Sequence, residues 1–444
     1  MKNHQKIMTP EEAIVILDTV LDPERLNTIQ EQVFRQCWQG NTYQEIAESC
    51  GYDADYIRVV GSQLWQKLSL AFGEKITKNN FRSVLRQQWQ NTPGQKQEGV
   101  EVELPSCVVP LNSKFYVERV HKSLCYEVIL QPGSLVRIKA PIKMGKTSLM
   151  VRILEQARQS EFDTVALSFQ KADANIFKDL ERLLKWFCTA IARELRLDGE
   201  EYSVDNYWDS NFGSKSNCTD YFQERVLSAR KKPLVLALDR VDEVFRHLEV
   251  ADDFFSMLRS WYEEAAYGTE GSEIWQNLRL IIIHSTEVYI PLDTNKSPFN
   301  VGVAIELKAF NSEQLYSLAR IHGLELSSQK REELMQLLGG HPFLVRLALY
   351  NLALEYLTWE ELLQTAATEA GIYRSHLHQL LGYLQEDVEL MAAYEQVIQS
   401  VEPVELEQML AFKLHSMGLI SLSANSVMPS CELYRQYFLG QIKI

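Results

Sequence analysis

The sequence lacks a long apolar run and lacks a cysteine pattern that would hold a metal or a disulfide frame. None of its apolar stretches approaches the ~20 residues that a membrane helix needs. The N-terminal segment MKNHQKIMTPEEAIVILDTV has neither the apolar core nor the cleavage site of a signal peptide. The seven cysteines are scattered and form no C-x-x-C pair. We therefore expect a cytoplasmic protein with buried thiols and no membrane partner.

A basic excess is also missing. The formal net charge is −14 over 444 residues, which argues against nonspecific coating of nucleic acid but leaves room for one small basic surface. A chain of this length is expected to form several domains. Its composition, 46% hydrophobic and 23% charged residues, is that of an ordinary globular protein.

One stretch, Arg137–Met150 (RIKAPIKMGKTSLM), matches the phosphate-loop pattern G-x-x-x-x-G-K-[ST] except that Ala140 replaces the first glycine. An apolar strand precedes it and a helix pattern follows, so backbone N–H groups would point at phosphate oxygens. Lys146 is expected to reach the β- and γ-phosphates, and Thr147 to hold Mg²⁺. The residues predicted to bind ATP or ADP here are Lys143, Met144, Gly145, Lys146, Thr147 and Ser148.

A second motif is typical of the same kind of site. The strand LVLALD ends in Asp239, which is predicted to bind Mg²⁺ through water. ATPases of this type usually carry a second acid next, to orient or deprotonate the attacking water, but this chain has Arg240. A guanidinium stays protonated and cannot accept a proton. We therefore predict nucleotide binding with slow hydrolysis, with Asp239 as a catalytic candidate and Asp242 or Glu243 as a substitute base.

Two later motifs carry further candidates. The strand Leu278–His284 is followed by Ser285, which is placed as a γ-phosphate sensor; simple strand-end polarity is the alternative. The segment GGHP then begins a helix, and Pro342 suits its first turn. His341 is placed to reach the nucleotide from a helical lid.

The order of elements predicts the fold class. Apolar strands alternate with helices of ten or more residues, as in a parallel sheet covered by helices on both faces. Two of these helices are expected at 177–197 and 218–230. We predict an α/β P-loop nucleotide-binding domain at 112–310, after a linker at 91–111, and then a helical lid at 311–370, whose first helix Asn311 would cap. Three helices, two short strands and a last helix in residues 371–444 predict a winged helix.

Residues 1–90 predict a separate all-α helix-turn-helix domain. Thr42 would cap a short helix and Asp53 would begin a longer one. The apolar contacts between them are predicted to be Ile46, Ala47, Tyr56, Ile57, Val60 and Leu64. This domain holds ten Lys/Arg against eleven Asp/Glu, which is not a basic footprint. A module that binds protein is therefore favoured over one that binds DNA, although the stretch with Lys75, Lys78, Arg82 and Arg86 is more basic.

The succession AP-I-K-M-GKT, LVLALD-R-VD, LIIIHST and LGGHPFLV resembles the STAND-class and archaeal-type AAA+ proteins. More closely, TYQEIAESCGYDADYIRVVGSQLW and FGSKSNCTDYF resemble cyanobacterial AAA-like domain proteins with an N-terminal helix-turn-helix associated with von Willebrand A/MoxR systems. The resemblance implies an ATP-dependent signalling switch, with Lys146, Thr147, Asp239 and His341 at its nucleotide-binding positions. It also implies that KFYVER lies near the adenine, with Arg119 as the contact.

Three functions stay open at this stage. The first is an ATP/ADP-controlled switch that acts on an unknown protein partner or on self-assembly into a homo-oligomer, through residues 1–90. The second is a working ATPase, in a ring. The third is a transcription regulator whose helix-turn-helix binds DNA. Arg259 is a candidate arginine finger in an oligomer, although a surface salt bridge is the favoured interpretation.

Overall fold

The computed structural model describes residues 13–14, 17, 21, 26–39, 41–50, 52–72, 75–78, 80–82, 84–85, 102–106, 108–268, 271–285 and 298–442. The chain divides into two compact units, residues 1–100 and 101–444. Among the helices in the described ranges, none is both long and apolar enough to cross a membrane.

In the N-terminal unit, two helices begin directly after Thr42 and Asp53, the residues at which they were predicted to start. The hydroxyl of Thr42 accepts from the Glu45 N–H at 3.3 Å, and the Glu45 carboxylate accepts from the Thr42 N–H at 2.7 Å. Asp53 Oδ1 accepts from the Asp55 N–H at 2.8 Å. The helices are α1 (Thr28–Gln39), α2 (Tyr43–Cys50) and α3 (Ala54–Phe72).

Helices α2 and α3 pack as the helix-turn-helix prediction requires, with one exception. Five of the six predicted contact residues are buried, but Tyr56 is 47% exposed, so the prediction is wrong for this residue. Tyr56 lies one position before the buried Ile57, about 100° round the helix from the apolar stripe. The close contact is made instead by Tyr43, whose hydroxyl accepts from Trp65 Nε1 at 2.7 Å. A Cβ on Gly61 would lie 2.7 Å from the Tyr43 ring.

Two residues of the basic stretch, Lys78 and Arg82, bind carbonyls within this unit, whereas Lys75 is exposed. Lys78 Nζ donates to the Asn41 carbonyl at 2.6 Å and lies over the Tyr43 ring. Arg82 donates to the carbonyls of Cys37 and Trp38. Arg86, the other arginine of this stretch, lies outside the described residues. Lys78 and Arg82 therefore link separate segments of this unit, and their positive charges are partly engaged by carbonyl groups within it.

The second unit contains a five-stranded parallel sheet in the order β2-β3-β4-β1-β5. Strand β4 lies between β1 and β3, so the carboxyl ends of these three strands meet at one edge, where ligands bind in such sheets. The strands are β1 (Leu135–Lys139), β2 (Asp163–Ser168), β3 (Leu234–Asp239), β4 (Leu278–His284) and β5 (Val303–Glu306).

Both faces of this sheet are covered, as predicted. Leu234, Leu236 and Leu238 of β3 join one core, and Val235 and Ala237 join the core on the opposite face. This alternation is the side-chain period of a strand with two buried faces. The covering helices are α4 (Lys122–Ile129), α5 (Lys146–Gln159), α6 (Leu180–Glu194), α7 (Val204–Tyr207), α8 (Ser214–Tyr221), α9 (Asp242–Phe245) and α10 (Leu248–Tyr267).

Two helices differ from the sequence prediction. The helix expected at 177–197 begins only at Leu180, because the Asp179 side chain caps it by accepting from the Arg182 N–H at 2.8 Å. The helix expected to begin at Cys218 begins at Ser214 and continues as a π-helical turn, Phe222–Leu227.

The lid and the C-terminal segment share one hydrophobic core. Asn311 caps the first lid helix in a capping box with Gln314, as predicted. The C-terminal elements occur in the order that a winged helix requires, and the winged-helix assignment itself stays a prediction. The elements are α11 (Ser312–Ile321), α12 (Ser328–Leu338), α13 (Pro342–Ala353), α14 (Trp359–Thr365), α15 (Arg374–Gln385), α16 (Val388–Gln399), α17 (Gln408–Ser416), β6 (Ile420–Ser423), β7 (Ser426–Pro429) and α18 (Glu432–Ile442).

The described part of the predicted linker, 102–106 and 108–111, packs on the second unit. Arg152 donates to the carbonyls of Val109 and Pro110. Glu103 forms an ion pair with Arg346 at 3.1 Å. These residues act as a strap over the nucleotide-binding domain and the lid.

Five cysteine side chains fall within the described residues, and all are buried free thiols, as predicted. Cys188 Sγ and Cys218 Sγ lie 3.4 Å apart in the core. The side chains of Cys50 and Cys107 lie outside the described part of the chain.

Gly340 provides a test of the lid's attachment. Its φ is +69°, and a Cβ there would lie 2.1 Å from the Phe310 carbonyl oxygen. We expect Gly340→Ala to destabilise the second unit by about 1–3 kcal/mol. As a matched control, Gly382→Ala in α15 meets no atom within 4 Å and should stabilise by about 0.5–1 kcal/mol. Denaturant unfolding of both variants measures this, and equal stabilities would contradict it.

Candidate nucleotide-binding site

The phosphate loop lies between β1 and α5, and its backbone explains two of its residue types. Gly145 has φ +94°, and a Cβ there would lie 3.2 Å from Arg119 Nη2. Ala140, the departure from the pattern, is buried and its φ is not positive, so its methyl group is accommodated without strain. Lys143 has φ +60°, an uncommon conformation for a residue with a side chain.

Lys146, Thr147 and Asp239 lie together at the edge of the sheet. Lys146 Nζ donates to the carbonyls of Ala140 and Pro141 at 2.7 and 2.8 Å. Burial lowers the pKa of Lys146 to about 8, and the carboxylates of Asp242 and Asp239 oppose this shift. The positive charge of Lys146 therefore lies in a desolvated environment, where its electrostatic attraction to a phosphate would be strong.

The Thr147 hydroxyl donates to Asp239 Oδ2 at 3.3 Å. Burial raises the pKa of the Asp239 carboxyl, while Arg240, Thr147 and Lys146 act to lower it. A hydroxyl and a carboxylate are the oxygen ligands that Mg²⁺ takes alongside waters and substrate phosphates. The pair predicted to hold Mg²⁺ thus fits that ion.

The structure brings Asp242 and Ser285 together. Both carboxylate oxygens of Asp242 accept from the Ser285 backbone N–H, at 2.8 and 2.9 Å. This bond ties the start of α9 to the end of β4. Arg240 has φ +57° and is exposed, and its backbone N–H donates to Asp239 Oδ1 at 3.0 Å.

Four consecutive residues of the loop each lie against a residue from a distant part of the chain. Two of the partners come from the C-terminal segment, one from the lid and one from the segment before α4. None of these partners is within twenty residues of the loop in sequence. The pairs are Pro141 with Gly418, Ile142 with His341, Lys143 with His376, and Met144 with Arg119.

The two histidines are neutral, and their partners fix their tautomers. Burial lowers the pKa of His341 to about 4 and that of His376 to about 2. His376 Nδ1 lies 3.3 Å from Lys143 Nζ, which only donates, so Nε2 carries the proton and donates to Tyr434 Oη at 2.7 Å. His341 Nε2 donates to the Ile142 carbonyl at 3.1 Å.

Arg119 holds the loop from the other side. Its guanidinium donates to the Met144 carbonyl at 2.6 Å and to the Lys308 carbonyl at 2.9 Å, and it lies over the Phe310 ring. Burial lowers the pKa of Arg119 to about 10, which leaves it charged at neutral pH. Ser148 is also engaged, because its hydroxyl accepts from the Val109 N–H at 2.9 Å.

A narrow, mainly apolar cleft lies beside the loop. Val109, Phe115 and Val117 line it, and Pro342 and Phe343 come from the lid. Lys143, Gly145, Ser148 and Arg119 border it on the loop side. The cleft therefore has apolar walls and adjoins the loop that is predicted to bind phosphates.

Arg259 is engaged within the chain. It donates to Glu263 at 2.6 Å and to Asn300 Oδ1 at 2.7 Å. This agrees with the salt-bridge interpretation of that residue.

Sheet, loop and acidic strand end together define a P-loop nucleotide-binding protein. A protein family described as an AAA-like domain matches residues 104–440. The chain belongs to this AAA-like domain family. Residues 8–88 match a second family, the N-terminal helix-turn-helix of vWA-MoxR associated proteins.

Solved structures similar to this chain include three of low sequence identity. A Walker-type ATPase of Pyrococcus abyssi is 13% identical, with a TM-score of 0.46 over 73% of this chain and 96% of that one. Cdc6p from Pyrobaculum aerophilum is 13% identical, with a TM-score of 0.39 over 74% and 97%. Domain III of the replication initiation protein DnaA from Thermotoga maritima is 16% identical, with a TM-score of 0.34 over 57% and 95%. No curated protein sequence matches the chain.

Sequence reasoning missed His376, Gly418 and Arg346. His376 is 233 residues from its partner Lys143, and no local pattern marks such a pair. Gly418 follows α17, where a glycine is explained by ending the helix. Arg346 reads as one charged residue within an apolar helix, and only its burial singles it out.

Lys146→Met is expected to weaken ATP and ADP binding at least about tenfold, because a charge-assisted hydrogen bond to phosphate is lost. Lys231→Met is the control, since Lys231 is exposed in the turn before β3. Isothermal titration of the full chain measures both. Equal affinities for the Lys146 variant and the unsubstituted chain would contradict the site.

Proposed function

We propose that this protein is an ATP/ADP-binding regulatory switch of the STAND type that hydrolyses ATP slowly. The observation that carries the proposal is the set of contacts on residues 141–144, which join the phosphate loop to the lid and the C-terminal segment. A loop that served only as an anchor for phosphate would not need such partners.

The nucleotide would be held by the residues at the sheet edge. Lys146 would exchange its two loop carbonyls for phosphate oxygens, and Thr147 with Asp239 would hold Mg²⁺. Arg119 and Pro342 line the cleft beside the loop, and His341 contacts the loop at the Ile142 carbonyl. We assign these three residues to the nucleoside side of the site. Bound Mg²⁺ would neutralise phosphate charge.

The nucleotide would control the conformation of the protein through a difference between the affinities of ATP and ADP for its two arrangements. A ligand shifts a conformational equilibrium only by the difference between its affinities for the two arrangements. ATP and ADP differ at the γ-phosphate, and Ser285, whose N–H is held by Asp242, is our candidate sensor for it. Because the lid and the C-terminal segment share one core, a change at residues 141–144 would reach both.

Slow hydrolysis is supported by the chemistry after Asp239. Arg240 cannot act as a base. Asp242, the proposed substitute, has both oxygens directed at the Ser285 N–H. A carboxylate that braces a strand end is poorly placed to take a proton from water.

We infer that the N-terminal unit binds a protein partner. Tyr52 and Tyr56, with ring centroids 5.5 Å apart, are 49% and 47% exposed, and Val59 is 54% exposed. Asp53 and Asp55 adjoin them. Lys78 and Arg82 are engaged inside the unit, which disfavours the alternative of operator DNA. Self-assembly into a homo-oligomer is the other outcome that the switch would control.

His376→Ala tests the coupling. We expect the ratio of the ATP and ADP dissociation constants to shift at least about fivefold, the lower range of allosteric coupling. His378→Ala is the matched control, since His378 is exposed on the same helix and pairs with Glu369. Titration of both variants with both nucleotides measures this. If the ratio in His376→Ala equals that in the control, the C-terminal contact does not bias the nucleotide.

Steady-state ATP turnover tests the hydrolysis claim. We expect turnover well below roughly 1 s⁻¹, the low end of ordinary enzymes. Arg240→Glu should raise it by supplying an acceptor for the water proton, whereas Arg240→Ala removes the cation without supplying one. Fast turnover in the unsubstituted chain would favour a working ATPase instead of a switch.

A further inference from the structure

Arg346 of helix α13 has a buried guanidinium that is only partly paired. The residue is 5% exposed. Nη2 donates to the backbone carbonyl and to the carboxylate of Glu103, both at 3.1 Å. Nε and Nη1 are buried and have no hydrogen-bond partner in the described structure. Leaving buried donors unpaired is unfavourable, so their retention points to a missing acceptor.

The surroundings supply no such acceptor. The Phe115 ring lies 5.3 Å from the Arg346 guanidinium carbon, and its face partly compensates the charge without accepting a hydrogen bond of ordinary strength. Arg346 also lines the cleft beside the phosphate loop, together with Pro342 and Phe343 from the start of the same helix. The partly paired side chain therefore borders the cleft that we assign to the nucleoside.

The charge around Arg346 favours a neutral group over a phosphate. Glu103 balances the guanidinium charge at 3.1 Å, and its carboxylate would repel an anion. The phosphate-binding residues Lys146 and Thr147 are grouped elsewhere, at the sheet edge. Nε and Nη1 together carry three unpaired N–H groups, and an uncharged acceptor, such as a ring nitrogen of a purine base, would accept from one of them.

We propose that Arg346 recognises the base of the bound nucleotide by donating to a ring-nitrogen acceptor, and so sets specificity at this site. The inference rests on the proposed nucleotide-binding function and adds to it the residue that distinguishes a purine nucleotide from a bare polyphosphate. Glu103 positions the guanidinium. Because Arg346 borders the cleft from the lid side, a hydrogen bond to the base would act directly on helix α13.

The test compares ligands with and without a base on the full chain. Arg346→Met is expected to weaken ADP binding ten- to hundredfold in isothermal titration and to leave inorganic tripolyphosphate binding unchanged. Arg320→Met, at an exposed position on lid helix α11, is the control and should change neither. A structural role for Arg346 would instead weaken both ligands, and would give Glu103→Gln the same loss as Arg346→Met.

Modified bases test the same claim without a substitution. One of 1-deaza-, 3-deaza- and 7-deaza-ADP should bind the unsubstituted chain at least about tenfold more weakly than ADP, and Arg346→Met should not distinguish that analogue from ADP. The inference is overturned if all three analogues bind as tightly as ADP. It is also overturned if only the sugar-modified nucleotide, 2′-deoxy-ADP, binds more weakly than ADP. If tripolyphosphate and ADP both fail to bind the unsubstituted chain, the nucleotide-binding function itself is wrong.

Discussion

The phosphate loop of this chain is held from several sides, because each of residues 141–144 contacts an element that is distant in sequence. Gly418 leaves room for Pro141, the two neutral histidines reach Ile142 and Lys143, and Arg119 binds the Met144 carbonyl. These bonds lie in a desolvated environment, where hydrogen bonds are stronger and unpaired groups less tolerated than in water. The loop therefore cannot rearrange around phosphates without changing contacts to the lid and the C-terminal segment.

The other features of the site depend on that arrangement. Lys146 and Thr147 present a charge and a hydroxyl to the sheet edge, where Asp239 completes an oxygen set suited to Mg²⁺. The strap of residues 102–106 and 108–111 and the lid enclose the cleft beside the loop, and Arg346 with Glu103 joins the two. Because one hydrophobic core runs from the lid to the last helix, these parts are expected to respond to a bound nucleotide together.

The sequence predicted what depends on local patterns. Strand Leu278–His284, the Asn311 cap and the parallel sheet follow from side-chain period, capping chemistry and alternation of elements. The prediction from the sequence failed where the environment of a residue is determined by parts of the chain that are distant in sequence. Tyr56 reads as an apolar contact but points outward, and His376 meets Lys143 across 233 positions. Helix ends shifted where a side chain competed for the backbone, as Asp179 does before α6.

Hydrogen exchange of the full chain, with and without ADP and a non-hydrolysable ATP analogue, tests the central claim most directly. The account predicts altered protection in the loop and also in Arg374–Gln385 and around Gly418, with different patterns for the two nucleotides. Protection confined to the phosphate loop and helix Lys146–Gln159, and the same for both nucleotides, would contradict it. In that case phosphate binding at the loop does not change the structure or dynamics of the C-terminal segment.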